Sequence, residues 1–343
     1  MAISAETLPR PKGKAARVII TEYDLPRPDA MPHDAVVDSD GMVWYSDHRE
    51  QYLGRLDPKT SQVVEFHIPV LKPGFPTGFH FLQLDREGSI WLSMGAQGGV
   101  AKIDRKTQKV QTWSLPKSPD NPEPSAFGLM VENLPGDGKI GVVESTGRRI
   151  QRLDIRLGVW DPDPINLFQD FPKDSPAATR RHFVYDIHSD SKNTAYLLDF
   201  YSEFIGKVDM KSGKVTLFQT PTFDSGPRRG HIDQQGRLWF GEYRGNRIGM
   251  FDPQAERFQE WEMPTSFSGP YDVVVDKNGY AWTGGMTSDR VDRLNTKTGE
   301  IIEYLLPRST NIRRMDVDNT RNPVSLWVGS NHGASLVRLE PLE

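Results

Sequence analysis

The stretch VVDKNGYAWTGG (Val274–Gly285), followed by VDRLNTKTGEIIEYLLP (Val291–Pro307), decides the fold. An apolar run ends in Asp-x-x-Gly, a turn whose last residue must tolerate positive φ. The next strand carries Trp282. A third strand, Val-Asp-Arg-Leu-Asn, closes in a Lys-Thr-Gly turn, and a fourth is stopped by Pro307, which cannot donate to a ladder. Four short strands with such turns predict an antiparallel meander.

The same pattern recurs along the chain. VVDSDGMVWYSD (Val36–Asp47), QLDREGSIWLSM (Gln83–Met94) and HIDQQGRLWFGE (His231–Glu242) repeat it, each with its third and fourth strands behind it. Two degenerate copies start at Lys139 and Ala195, and a seventh, VDNTRNPVSLWVGSNHGASLVRLEP (Val317–Pro341), ends the chain. The landmark positions Trp44, Trp91, Gly141, Tyr196, Trp239, Trp282 and Trp327 are 43 to 55 residues apart. A four-stranded unit of this length is a propeller blade, which hides its sheet edges by radial closure. The expected fold is all-β: a single seven-bladed β-propeller with four antiparallel strands per blade. The last copy lacks a fourth strand, and ARVIITEYDLP (Ala16–Pro26) has that strand's pattern. The N-terminal strand, about 16–26, is therefore expected to complete the last blade. Residues 1–15 are expected to be a flexible tail and 16–343 the propeller.

Composition narrows the partners. The 343 residues carry 42 Lys and Arg against 46 Asp and Glu, a net charge of -4 that disfavours nucleic acid and anionic membrane. No apolar run reaches the length of a membrane helix. The start, MAISAETLPRPKGKAAR, has no apolar signal core, so the reading is a cytoplasmic chain, or a periplasmic or secreted one whose leader was replaced. A monomer acting on a small molecule is expected. With no Cys there is no thiolate nucleophile and no Cys-held metal.

The repeat, Asp-x-x-Gly-x-x-Trp followed by an Ile-Gly-Arg-Leu-Asp-Pro type of hairpin and a Glu-Phe/Tyr strand ending in Pro, resembles the virginiamycin B lyase (streptogramin lyase) family, among NHL-type and SMP-30-like propellers. The resemblance runs from about Ala16 to Leu342. It implies the propeller and, for the lyases, ring opening of a cyclic ester by β-elimination with Mg²⁺. It also implies two His at first-strand starts of successive late blades and a Glu 14 residues after the second in the lyases, at the position three past the aromatic of the second strand. Those positions hold Tyr271, Arg313 and Ser330 here. His33 and Asp47 keep the 14-residue spacing in blade one, with His80 at the matching site of blade two.

Registering the repeats gives two rings for one mouth of the funnel. The first-strand ring is His33, His80, Phe127, Tyr185, Arg228, Tyr271 and Arg313. The ring three residues beyond the landmark includes Asp47, Glu144, Asp199 and Glu242. A polar ring on a concave surface is the mark of a site. His33 and His80 are the candidate bases, with Tyr185 and Tyr271 as further acid–base candidates. Arg181, Arg228, Arg229, Arg313 and Arg314, with Phe127 and Tyr243, are candidates to bind an anionic substrate. Asp47, Glu144, Asp199 and Glu242 are the candidate ligands of a divalent cation, Mg²⁺ or Ca²⁺, or alternatively pair with neighbouring Arg. His48 and His332 could reach the same mouth, whereas His188 and His231 are expected to pack between blades and His67 to be exposed.

Three functions follow. The first is a lyase-like enzyme performing metal-assisted β-elimination or ring opening on an anionic or ester substrate. The second is a metal-dependent lactonase or hydrolase of SMP-30-like type. The third is a non-catalytic binding or sensor propeller.

Overall fold

In a computed structural model the chain forms seven four-stranded antiparallel units around a channel, with a fifth short strand in blade three. The structure describes residues 11–131, 138–144, 148–168, 171 and 174–342. Blade one runs Pro32–Val37, Val43–Asp47, Tyr52–Asp57 and Gln62–His67 from the channel outward. The innermost strands of the other blades are Phe81–Leu84, Ala126–Met130, Val184–Ser189, Pro227–Ile232, Pro270–Val275 and Met315–Asp318. Each touches the next, and the last touches the first, so they line a closed ring.

The Asp of each Asp-x-x-Gly turn explains the motif. Asp38 accepts backbone N–H bonds from Asp40 and Met42, and its other oxygen accepts the Trp44 indole at 2.7 Å. The indoles of Trp91, Trp239 and Trp282 meet Asp85, Asp233 and Asp276 in the same way, at 2.9, 2.8 and 2.8 Å. One carboxylate thus closes the first hairpin and anchors the aromatic that packs against the next blade. The apolar core lies between blades: Trp44 packs with Leu82, Ile90 and Leu92 of blade two. The glycine of the third strand leaves room for a ring, since a Cβ on Gly54 would fall 2.0 Å from the Tyr45 ring.

The N-terminal strand is Val18–Asp24, and it pairs antiparallel with Ser335–Pro341 as the outer strand of blade seven. This closes the ring as the sequence predicts. The expected tail is partly docked, for Lys14 binds Glu300 at 2.7 Å, while its first ten residues lie outside the described ones. Blade three departs from the repeat: its outer edge is split into Val159–Trp160 and Ile165–Asn166, both paired with the third strand. No described helix is long and apolar enough to cross a membrane.

Replacing Asp233 by Ala removes the partner of the Trp239 indole and of two turn amides. The expected loss is about 1–3 kcal/mol in urea unfolding; an unchanged midpoint would contradict the anchoring role.

Candidate functional site

The innermost strands start at one mouth of the channel. At those starts the register slips in five blades, for example between Pro32 and Ala35, Pro227 and Gly230, and Pro270 and Val273. A bulge leaves residues unpaired and re-aims their side chains. The pairs His33–Asp34, Arg228–Arg229 and Tyr271–Asp272 sit in three of these bulges. The first member of each pair meets its counterparts at the mouth, and the second meets its own deeper in the channel.

The deeper layer is an ion network. Arg229 of blade five binds Asp34 of blade one with two hydrogen bonds, 2.7 and 2.9 Å, straight across the channel. Its Nε lies 3.6 Å from Asp186. Arg314 approaches Asp34 at 3.7 Å and donates to the Leu82 carbonyl at 2.7 Å. Burial works against ionised Asp34, but Arg229 and the bond from His33 hold its carboxyl well below the usual carboxylate range. Arg229 and Arg314 were expected to bind substrate beside Arg228 and Arg313; they lie instead below the first mouth, in this internal lattice.

The mouth rests on that lattice. His33, 1% exposed, bonds through Nδ1 to Asp34 at 2.7 Å. Because Asp34 is ionised it accepts, so Nδ1 carries the hydrogen and the Nε2 lone pair faces the Tyr271 hydroxyl at 3.5 Å. The Tyr271 and Tyr185 hydroxyls are 2.6 Å apart. Burial keeps His33 well below its ordinary value, despite Asp34. His48 and His80 crowd in, with rings 4.9 Å apart and 4.9 and 6.2 Å from His33. Burial drives His80 down to about 3 and lowers His48 too. The three imidazoles are therefore neutral near pH 7. Burial raises the Tyr185 hydroxyl, which stays protonated.

Two guanidinium groups flank the cluster. Arg228, 8% exposed, lies 4.2 Å over Tyr271, 4.5 Å over Tyr243 and 4.7 Å over Phe200, and its Nε has no partner. Arg313 bonds Asn311 at 2.7 Å and lies 5.5 Å over Tyr271. Among the described residues neither meets a carboxylate. Phe127 covers His80 with its ring 4.9 Å away. Arg181 sits at the exposed rim, stacked on Tyr201 at 4.5 Å. The structure thus brings together His33, His80, Tyr185, Tyr271, Arg228, Arg313, Phe127 and Tyr243. His48, expected as a possible neighbour, is in the cluster, whereas His332 is exposed.

The carboxylate ring is corrected. Asp47 pairs with Arg27 and caps the Arg49 and Glu50 amides. Glu144 binds Asn121 and Gln151, and Asp199 binds His182, Ser202 and the Phe183 amide. Glu242 faces Glu260, and burial raises it to about 9. Asp47, Glu144 and Asp199 are used within their own blade or loop, the two oxygens of Glu242 are buried with no hydrogen-bond partner among the described residues, and no described group of three His, Asp or Glu is arranged to hold a metal ion. These four residues do not fit the divalent cation expected for them, and no step is derived through one. His188 and His231 are also corrected: they line a cavity at the opposite mouth. His67 is exposed, as expected.

Removing one partner of a buried ion pair strands the other charge. Arg229→Met is expected to lower stability by about 3–5 kcal/mol. Arg228→Met, which strands no carboxylate, is expected to leave the urea midpoint unchanged or raised. Equal losses in the two variants would contradict this division of roles.

The Virginiamycin B lyase family profile matches residues 173–341, blades four to seven with the segment leading into them. A streptogramin B lyase structure superposes with a TM-score of 0.79 at 22% identity, covering 96% of this chain and 99% of that one. A catalytically inactive His-to-Ala virginiamycin B lyase from Staphylococcus aureus with quinupristin gives 0.79 at 21%, covering 94% and 99%. A chain of a mitotic checkpoint complex gives 0.70 at 10%, covering 100% and 99%, so the fold is shared widely. No curated protein matches the chain significantly. The chain is thus a seven-bladed β-propeller closed by its N-terminal strand, and its second half is similar to the Virginiamycin B lyase family.

Proposed function

We propose that the first mouth is the active site of a lyase-like enzyme that eliminates across a small anionic or ester substrate. The carrying observation is a neutral Asp-backed imidazole facing Tyr271, over whose ring lie two guanidinium groups that meet no carboxylate among the described residues. A buried cation without a counter-ion is costly, and a ligand's carboxylate or a developing enolate supplies the missing charge.

In this reading His33 Nε2 takes the proton α to the substrate carbonyl. The C–H electron pair becomes the new C=C bond, and the β C–O bond breaks to release the leaving oxygen. Arg228 and Arg313 hold the carboxylate and the enolate oxygen in bidentate fashion. Tyr271, set by the Tyr185 hydroxyl at 2.6 Å, returns a proton to the leaving oxygen. Phe127, Tyr243 and Phe200 make the apolar wall that excludes water. The related S. aureus lyase is catalytically inactive as a His-to-Ala variant. A catalytic histidine on this scaffold is consistent with that, although its place in the ring differs here.

The test is a panel of small β-acyloxy and β-alkoxy carboxylates turned over in H₂¹⁸O. Elimination yields an unsaturated product with no ¹⁸O, and His33→Asn lowers kcat about 10²–10⁴-fold. Arg228→Met is expected to raise KM more than it lowers kcat. Incorporation of ¹⁸O would mean hydrolysis instead. Turnover and anion affinity unchanged in both variants would remove this mouth from the chemistry.

A further inference from the structure

The other end of the channel is built differently. Here the inner strands of blades one to five and seven end around a cavity of about 280 Å³. Its polar lining is Gln83, His188, Ser189, His231, Arg314 and Asp316. His188 and His231 lie side by side with ring centroids 5.4 Å apart. Each is backed by a carboxylate through Nε2: His188 by Asp186 at 2.7 Å and His231 by Asp272 at 3.2 Å. Their Nδ1 atoms have no protein partner among the described residues. Arg314 is 7% exposed, and its buried Nε is unpartnered too.

The charges of this end balance in one particular way. Arg229 takes Asp34 with two bonds. Protonated His188 and His231 would offset Asp186 and Asp272. Both oxygens of Asp316 accept backbone amides, from Val37 at 2.8 Å and Val317 at 2.9 Å, and burial raises its pKa toward the neutral form. That leaves the charge of Arg314 and two Nδ1–H donors facing the cavity. We infer that this second mouth binds a small anion bearing a carboxylate or a phosphate, held by Arg314, His188 and His231. The backing Asp residues stabilise the imidazolium forms and fix the ring orientation, as they do for other Asp–His pairs.

Proton uptake and anion binding are then linked. Burial lowers free His188, against Asp186 and together with His231 and Arg314. Free His188 is therefore held toward its neutral form, and an anion that takes its Nδ1–H has to bring a proton with it. Affinity rises as pH falls, by about tenfold per pH unit for each proton taken up. The site is also in contact with the first mouth. Asp186 reaches Arg229, Arg229 reaches Asp34, and Asp34 holds His33.

Calorimetry on the full chain carrying Arg228→Met and Arg313→Met, which removes the guanidinium groups of the first mouth, with inorganic phosphate and with malonate tests the assignment and is independent of the lyase reading. Both probes are expected to bind about tenfold or more tightly at about pH 6 than at about pH 8, and the tighter of the two names the ligand class. His188→Asn with His231→Asn should abolish this binding, and Gln83→Glu, which places a negative charge on the wall, should weaken it about tenfold or more. Binding that survives Gln83→Glu and the double variant overturns the proposal. So does a response of both imidazole Nδ1 signals to zinc chloride when neither anion moves them, since that pattern means a metal site.

Discussion

Everything at the axis depends on one buried ion pair, Arg229 with Asp34, spanning the channel from blade five to blade one. Radial closure solves the edge problem of β-sheets but leaves the bulged starts of the inner strands facing one another in a narrow space. Charged groups there are desolvated and have to satisfy each other. Arg229 does so with Asp34 and Asp186, Arg314 approaches Asp34 at 3.7 Å without a hydrogen bond to it, and Asp272 lies in the same layer beside Met315 and His231. The lattice crosses the channel and ties non-adjacent blades together. It also fixes the tautomer of His33, because an ionised Asp34 accepts only from a protonated Nδ1.

The same lattice separates two mouths of different character. Above it, Arg228 and Arg313 stand among aromatic rings and neutral imidazoles, with no carboxylate in reach among the described residues. Below it, two imidazoles are each backed by an acid and open onto a cavity. Adjacent residues with identical side chains thus have opposite roles. Arg228 and Arg229 are neighbours in sequence, yet one meets no carboxylate among the described residues and the other neutralises the protein's own acid.

The fold was legible in the sequence because the Asp-x-x-Gly turn and the Trp six residues after its Asp form a single bonded unit, repeated with little change. The first-strand ring was legible for the same reason: equal phase put His33, His80, Tyr185, Arg228 and Tyr271 at one end. Two things were hidden. Phase fixes height along the channel but not the face of the sheet. Second-strand side chains such as Asp47 and Glu242 point toward neighbouring strands and blades, so a row of carboxylates in the alignment did not become a cluster. The bulges were hidden as well, since a one-residue slip sends Asp34, Arg229 and Asp272 inward. The signal that could have revealed them was the run of paired charges at strand starts, His-Asp, Arg-Arg, Tyr-Asp and Arg-Arg, which a strand of strict alternation has no use for.

The central claim is that the Asp34–Arg229 pair sets His33 as a neutral base aimed at the first mouth. Nitrogen-15 NMR of the imidazoles, assigned by a His33→Gln comparison, measures this directly. The account predicts a single neutral tautomer for His33, with hydrogen on Nδ1 and a bare Nε2, unchanged down to about pH 6. A His33 signal that titrates near the ordinary value of about 6.5, or that carries its hydrogen on Nε2, would contradict it.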